Sequence, residues 1–197
     1  VPRGDEADSE LVDACREAGN VVMGAQQAAV VDPVGGKTIV QWMLPFPELA
    51  DVTGIGTVNF DPEADGVVRR AQVGHEVADF HFPLLSILAT ARYLGMDPER
   101  LVQGNTLQVG PTRVELDGER KFWINYIGKQ GAVRTCSYYQ VLPGAGEAPL
   151  VPADYFKGKL VFVGATDPLL HDVVPSPYEP QFPGVTVHAN IAGMLLH

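Results

Sequence analysis

The chain has 197 residues, 46% of them hydrophobic and 19% charged, which suits one domain with a full-sized core and is too apolar for a disordered segment. Its 24 acidic and 14 basic residues leave a formal charge of −10. No Lys/Arg stripe overrides that field, so nucleic acid is not an expected partner. Two cysteines, Cys15 and Cys136, are too few and too far apart for a disulfide framework or a metal knuckle. They read as small buried hydrophobes, or as a single bridge if the domain lives outside the cytoplasm. No apolar run approaches the roughly 20 residues that span a bilayer, and no signal peptide is present. The chain therefore reads as soluble throughout or as an excised soluble piece. Val1-Pro2-Arg3-Gly4 resembles part of a thrombin cleavage tag and stays outside the fold argument.

In chain order, the spacing of Leu11, Ala14, Cys15 and Ala18 predicts a helix over 9–19 with those residues on one face. Gly19 and Asn20 stop it, and 20–25 reads as a short buried strand. A second strand over 37–44 ends at Pro45 and Pro47, which cannot donate to a ladder. Two hairpins are expected next. Segments 56–60 and 67–73 flank a turn carrying Asp65-Gly66, and segments 112–116 and 121–126 flank Asp117-Gly118. Between them Pro83 opens a helix carrying Leu84, Leu85, Ile87, Leu88, Ala91 and Leu94, closed by Gly95.

Ser137 is a candidate N-cap for a short helix reaching Leu142, followed by a Gly/Pro-rich loop. The run 159–163 is fully apolar after its lysine and reads as a buried strand ending at Gly164. Prolines 168, 175, 177, 180 and 183 make the next stretch irregular, and 185–196 closes the chain as an apolar helix. This mixture predicts an α+β fold, a mixed β-sheet with two hairpins covered by helices in one domain.

Few constellations carry chemistry. There is no G-x-G-x-x-G and no P-loop lysine, and no serine sits in a nucleophile elbow. Neither cysteine is set beside a histidine in a protease-like context. Val161-Phe-Val-Gly-Ala-Thr-Asp167 has the look of a strand feeding a phosphate-gripping turn, but Pro168 follows instead of a helix. Asp167, His171, Asp172 and His188 are of acid/base or metal-ligand type, and the first three fall within six residues. No H-x-x-x-H spacing sets two of them on one helix face. They are candidate ligand-binding residues, against the plainer reading that the aspartates cap turns and His188 bonds to backbone. His75 and His81 read as structural, and no metal or cofactor is expected.

The residues also suggest a family. The ending Gly158-Lys-Leu-Val-Phe-Val-Gly-Ala-Thr-Asp-Pro-Leu-Leu-His-Asp172, then Pro175, then Phe182-Pro-Gly-Val-Thr-Val-His-Ala-Asn190, resembles the type-two CHASE domain. Gly56-Thr-Val-Asn-Phe-Asp61 with Asp65-Gly-Val-Val-Arg-Arg70 resembles that family's central hairpin. Trp123-Ile-Asn-Tyr126 with Gly128, then Ser137-Tyr-Tyr-Gln-Val-Leu142, resembles its next stretch, and 8–23 its helix leading into Asn-Val-Val. The resemblance covers nearly the whole chain in order. There are departures. Family members begin with a transmembrane helix and an extra strand-helix unit, and continue into several transmembrane helices where this chain stops at His197. At Val174-Pro-Ser-Pro177 the family's threonine before proline is absent or replaced by Ser176. The piece reads as trimmed at both ends, with a sheet lacking a strand that the intact protein supplies.

The resemblance implies an extracytoplasmic sensor of a bacterial inner-membrane protein, tethered to the membrane. A histidine kinase, an adenylate or diguanylate cyclase, or a Ser/Thr kinase would be its output. It would receive an unknown small-molecule or protein signal, with a homodimer as one arrangement, and pass it on through the C-terminal helix. Two other readings compete: a metal-dependent hydrolase using Asp167, His171, Asp172 and His188, and a structural dimerisation module that binds nothing small.

Overall fold

A computed structural model describes the chain except residues 1–4, 32–35, 37, 78, 79, 143, 145–147 and 171. It opens with α1 (Asp5–Ala18), β1 (Val22–Val31), β2 (Thr38–Met43), α2 (Pro47–Ala50) and β3 (Gly54–Thr57). Next come β4 (Arg70–Gln72), β5 (Gly74–Val77), β6 (Phe80–Pro83) and α3 (Leu85–Tyr93). Then follow β7 (Val102–Gln103), β8 (Thr106–Val109), β9 (Thr112–Glu115), β10 (Lys121–Trp123) and α4 (Tyr138–Val141). The two-residue strands β11 (Val173–Val174) and β12 (Phe182–Pro183) lead into α5 (Gly184–Leu196). The class is α+β as expected. The strands, however, form several small sheets, with orders β2-β1-β3, β10-β4, β11-β12, β5-β6 and β7-β8-β9.

Both expected hairpins are corrected. Their turns are in place: Gly66 takes φ 83° and donates to Glu63, and Asp117 accepts backbone N–H bonds from Glu119 and Lys121. The strands beside the turns pair elsewhere. β3 runs parallel to β1, β9 pairs with β8, and β4 pairs with β10. Non-local pairing wins because it sets Phe122 opposite Ala71, both buried in the main core. The face of α1 is also rotated from expectation. Val12 and Cys15 are buried, while Leu11 is exposed, because the second, smaller core is built from Val12, Cys15 and Leu49. Both cysteines are free.

The main core packs α3 and α5 against the small sheets through Leu84, Ile87, Phe122, Phe182, Ile191 and Leu195. Glycine positions α3 at both ends. At its C-terminus Gly95 has φ 68°, and the N–H groups of Gly95 and Met96 return to the carbonyls of Arg92 and Ala91, a Schellman closure. At its N-terminus the helix crosses β3 at Gly56. A Cβ there would lie 2.7 Å from Leu85 Cα, 3.0 Å from Leu85 N and 3.2 Å from the Pro83 carbonyl. All three contacts are backbone and cannot rotate away. Gly56→Ala should therefore lower stability by about 1–3 kcal/mol in urea unfolding. A loss below about half a kcal/mol would mean that the helix start moves freely over the strand.

One expected strand is absent as such. Segment 160–166 lies in no strand and makes no backbone hydrogen bond among the described residues. Its alternation survives in burial. Leu160 and Phe162 are half-buried, while Val161 is 46% and Val163 77% exposed.

Candidate functional site

Of the predicted site residues, Asp172 and His188 lie at the first turns of α5, with different surroundings. Asp167 is exposed and caps a turn. Its Oδ1 accepts the Leu169 N–H at 3.0 Å, and its carbonyl accepts the Leu170 N–H at 3.0 Å. His171 lies outside the described residues. Asp172 sits over the first turn of α5: the Gly184 N–H donates to the Asp172 carbonyl at 3.0 Å. A Cβ on Gly184 would lie 2.7 Å from Asp172 Oδ1, so only glycine lets the carboxylate come this close. There it faces the positive end of the helix. Partial burial nevertheless pushes the Asp172 carboxyl above its ordinary range.

His188, one turn further along α5, is 3% exposed. Its ring lies 4.7 Å from the Phe60 ring and 6.4 Å from the Phe162 ring, the latter nearly parallel to it at 14°. Neither ring nitrogen has a hydrogen-bond partner among the described residues. The backbone that acts on the ring is that of Val58, without a contact of full hydrogen-bond geometry. The Val58 backbone favours the charged form, but burial outweighs it and holds the imidazole at about 4. His188 is neutral at physiological pH. Among the described residues no group of three His, Cys, Asp or Glu side chains could hold a metal ion.

A separate cavity of about 240 Å³ is lined by Gly74, His75, Glu76, His81, Glu119 and Arg120. It is smaller than the roughly 300–1,000 Å³ of ordinary small-molecule sites. Both histidines have partners: His75 Nδ1 is 3.1 Å from Thr57 Oγ1, and His81 Nδ1 is 2.9 Å from Glu76 Oε1. Burial lowers the His75 pKa.

The family model of the CHASE2 domain matches residues 2–197, the length of the chain bar its first residue. The chain belongs to the CHASE2 family. CHASE2 domains are sensory extracellular domains found in signalling proteins. No curated protein and no solved structure matches the chain. No helix among the described residues is long and apolar enough to cross a membrane.

The motifs that carried the CHASE2 resemblance have structural work to do here. Asn59 prolongs β3 with its side chain, accepting the Gln27 N–H at 2.6 Å and donating to the Gln27 carbonyl at 2.9 Å. Arg69 pairs with Asp65 at 2.8 Å, while Arg70 pairs with Glu63 at 3.0 Å and Asp117 at 2.6 Å. Arg69 beside it holds the Asp65 carboxyl at about 2. Asn190, 2% exposed, accepts the Ile127 N–H at 2.9 Å and donates to the Thr186 carbonyl at 2.8 Å. Beyond the turns of Asp65 and Asp117, no role was expected for these polar side chains from the sequence. The available signal was the polar Asn190 inside an otherwise apolar helix pattern.

Proposed function

We propose that this CHASE2 domain is the extracytoplasmic receiver of a bacterial inner-membrane signalling protein and that α5 carries the received change toward the membrane. The family match over residues 2–197 is the observation that carries the reading. The build of α5 supports the second half of it. Val187, Ile191 and Leu195 are wholly buried in the main core, so repacking there displaces the last helix of the chain.

The signal is a small molecule or a protein, received around Asp167, His171, Asp172 and His188. A carboxylate over a helix start with its pKa raised and an unpartnered buried imidazole support this choice. A histidine kinase, an adenylate or diguanylate cyclase, or a Ser/Thr kinase is the output, and a homodimer sets its geometry. The hydrolase reading has no metal-binding group among the described residues in its favour.

A flexible Gly-Ser linker inserted after Leu196 in the intact protein tests the route. It should uncouple output from stimulus while leaving the fold of the domain unchanged, as read by thermal unfolding of the purified domain. Signalling of unaltered amplitude through the linker would overturn the proposed path.

A further inference from the structure

We infer that β2 is a docking edge for a second copy of this chain, the two copies pairing β2 against β2, antiparallel, about a twofold axis. The pairing rests on the homodimer reading above and gives that dimer its surface.

The hairpin of β1 and β2 stands out from the body. Its register runs without a break from Gln26↔Met43 to Val31↔Thr38. Every β2 residue but Trp42 is exposed, and so are Gln26, Gln27 and Ala29 on β1. Successive residues of a strand point to opposite faces, so exposure at successive positions leaves both faces of this arm uncovered. Trp42 is half-buried, with its ring edge-on to that of His75 at 5.9 Å. The exposed side chains include Ile39, Val40 and Met43, with Leu44 just beyond. An apolar patch of this kind marks an interaction site.

β2 is also the outer strand of its sheet, which is ordered β2-β1-β3. Among the described residues no strand pairs with its far side, so a row of N–H and C=O groups faces outward. Free edges are ordinarily blunted by a charged side chain, a proline or a bulge. β2 has none of these. Thr38-Ile-Val-Gln-Trp-Met43 is uncharged, free of proline and matched one to one with β1.

Charge and symmetry name the occupant. The chain carries −10 overall, so two copies repel wherever their charged surfaces meet. No charged residue lies between Ala18 and Val31 or between Thr38 and Pro47. The arm is therefore where two acidic bodies can approach. An edge strand set antiparallel to itself closes after two copies, as one four-stranded sheet ordered β1-β2-β2-β1. A twofold axis perpendicular to that sheet keeps each side chain on its own face. The pairing must then centre on Val40 or on Gln41, which sets Val40 opposite its own mate or two places from it. A lipid surface fits less well, because open backbone groups are costly in hydrocarbon and the acidic body repels anionic headgroups.

Sedimentation of the 197-residue chain across a concentration series tests this. Its mass should pass from one chain to two. Val40→Lys and Val40→Glu each set like charges across the twofold and should each weaken self-association roughly 10-fold or more. Val40 is 63% exposed, so both variants should keep the parent's unfolding midpoint when dilute. Mixed in equal amounts, the two variants should associate again, since lysine then meets glutamate. If both variants dimerise as tightly as the parent, the inference is overturned and the homodimer stands on another surface. A single-chain mass at every concentration overturns the inference and the homodimer reading together. Loss of the dimer in each variant without recovery on mixing overturns the symmetric pairing, in favour of β2 seated elsewhere on the copy. A monomer that binds phosphatidylserine vesicles, and ceases to as Val40→Glu, overturns it in favour of a lipid surface.

Discussion

Phe122→Ala is expected to lower unfolding stability by about 3–5 kcal/mol, a large share of the about 5–15 kcal/mol available to a domain. Phe122 is 0% exposed and sits at the middle of a ladder of only three pairs, opposite Ala71. So short a ladder is held by what its side chains bury more than by its hydrogen bonds. Alanine across from alanine would leave a cavity that the small partner cannot fill. The next residue gives the contrast. Trp123 is 65% exposed, with the Arg70 guanidinium 5.7 Å from its ring centre. Trp123→Ala should cost about 0.5–1 kcal/mol. Urea unfolding of the two variants decides between burial and ladder. Equal losses would mean that the strand pair, not the buried ring, holds this part of the core.

Stability should fall by about 3 kcal/mol between pH 6.5 and pH 4 through His188 alone. Burial holds this imidazole at about 4 against an ordinary 6.5. Above 6.5 both folded and unfolded forms are neutral there, and the group contributes no pH dependence. Between 6.5 and 4 the unfolded chain takes up a proton that the folded chain refuses, so the balance shifts toward unfolding. Below 4 both forms are protonated and the slope vanishes. His75, also lowered by burial, adds a smaller slope of the same sign. Asp172, raised by burial, opposes them, since its folded form takes up a proton before its unfolded form. His188→Leu isolates the main contribution. It removes two unpartnered buried nitrogens, so it should be at least as stable as the parent at pH 7. Its stability should then be much flatter down to pH 4. An unchanged acid slope in the variant would refute the assignment to His188.

Local pattern made much of the fold legible. Period and stop signals located α1, α3 and α5 to within a few residues, and Pro45 and Gly95 ended their elements as proline and glycine should. Pairing was not legible. Asp65-Gly66 and Asp117-Gly118 do make turns, but turn chemistry is local while partner choice is settled by burial across the chain. Nothing near Phe122 in sequence says that Ala71 lies opposite. The apolar run at 159–163 read as a buried strand, but it lies in no strand and Val161 and Val163 are exposed, which composition alone cannot foresee. At the candidate site, residue type drew attention to Asp172 and His188. The sequence could not distinguish a histidine bonded to backbone from one enclosed by Phe60 and Phe162, because Phe60 lies over a hundred residues away.

The amide of Asn190 limits how α5 can move. One end is tied to the Thr186 carbonyl on the same helix, and the other receives the Ile127 N–H from the segment after β10. Spinning the helix about its axis, or sliding it by a turn, would strand the buried Asn190 amide oxygen at about 1–3 kcal/mol. Tilting α5 together with the 124–127 segment keeps the bond. The helix is thus built as a lever with a clutch at Asn190: it swings with the body that holds it, and it resists turning on its own.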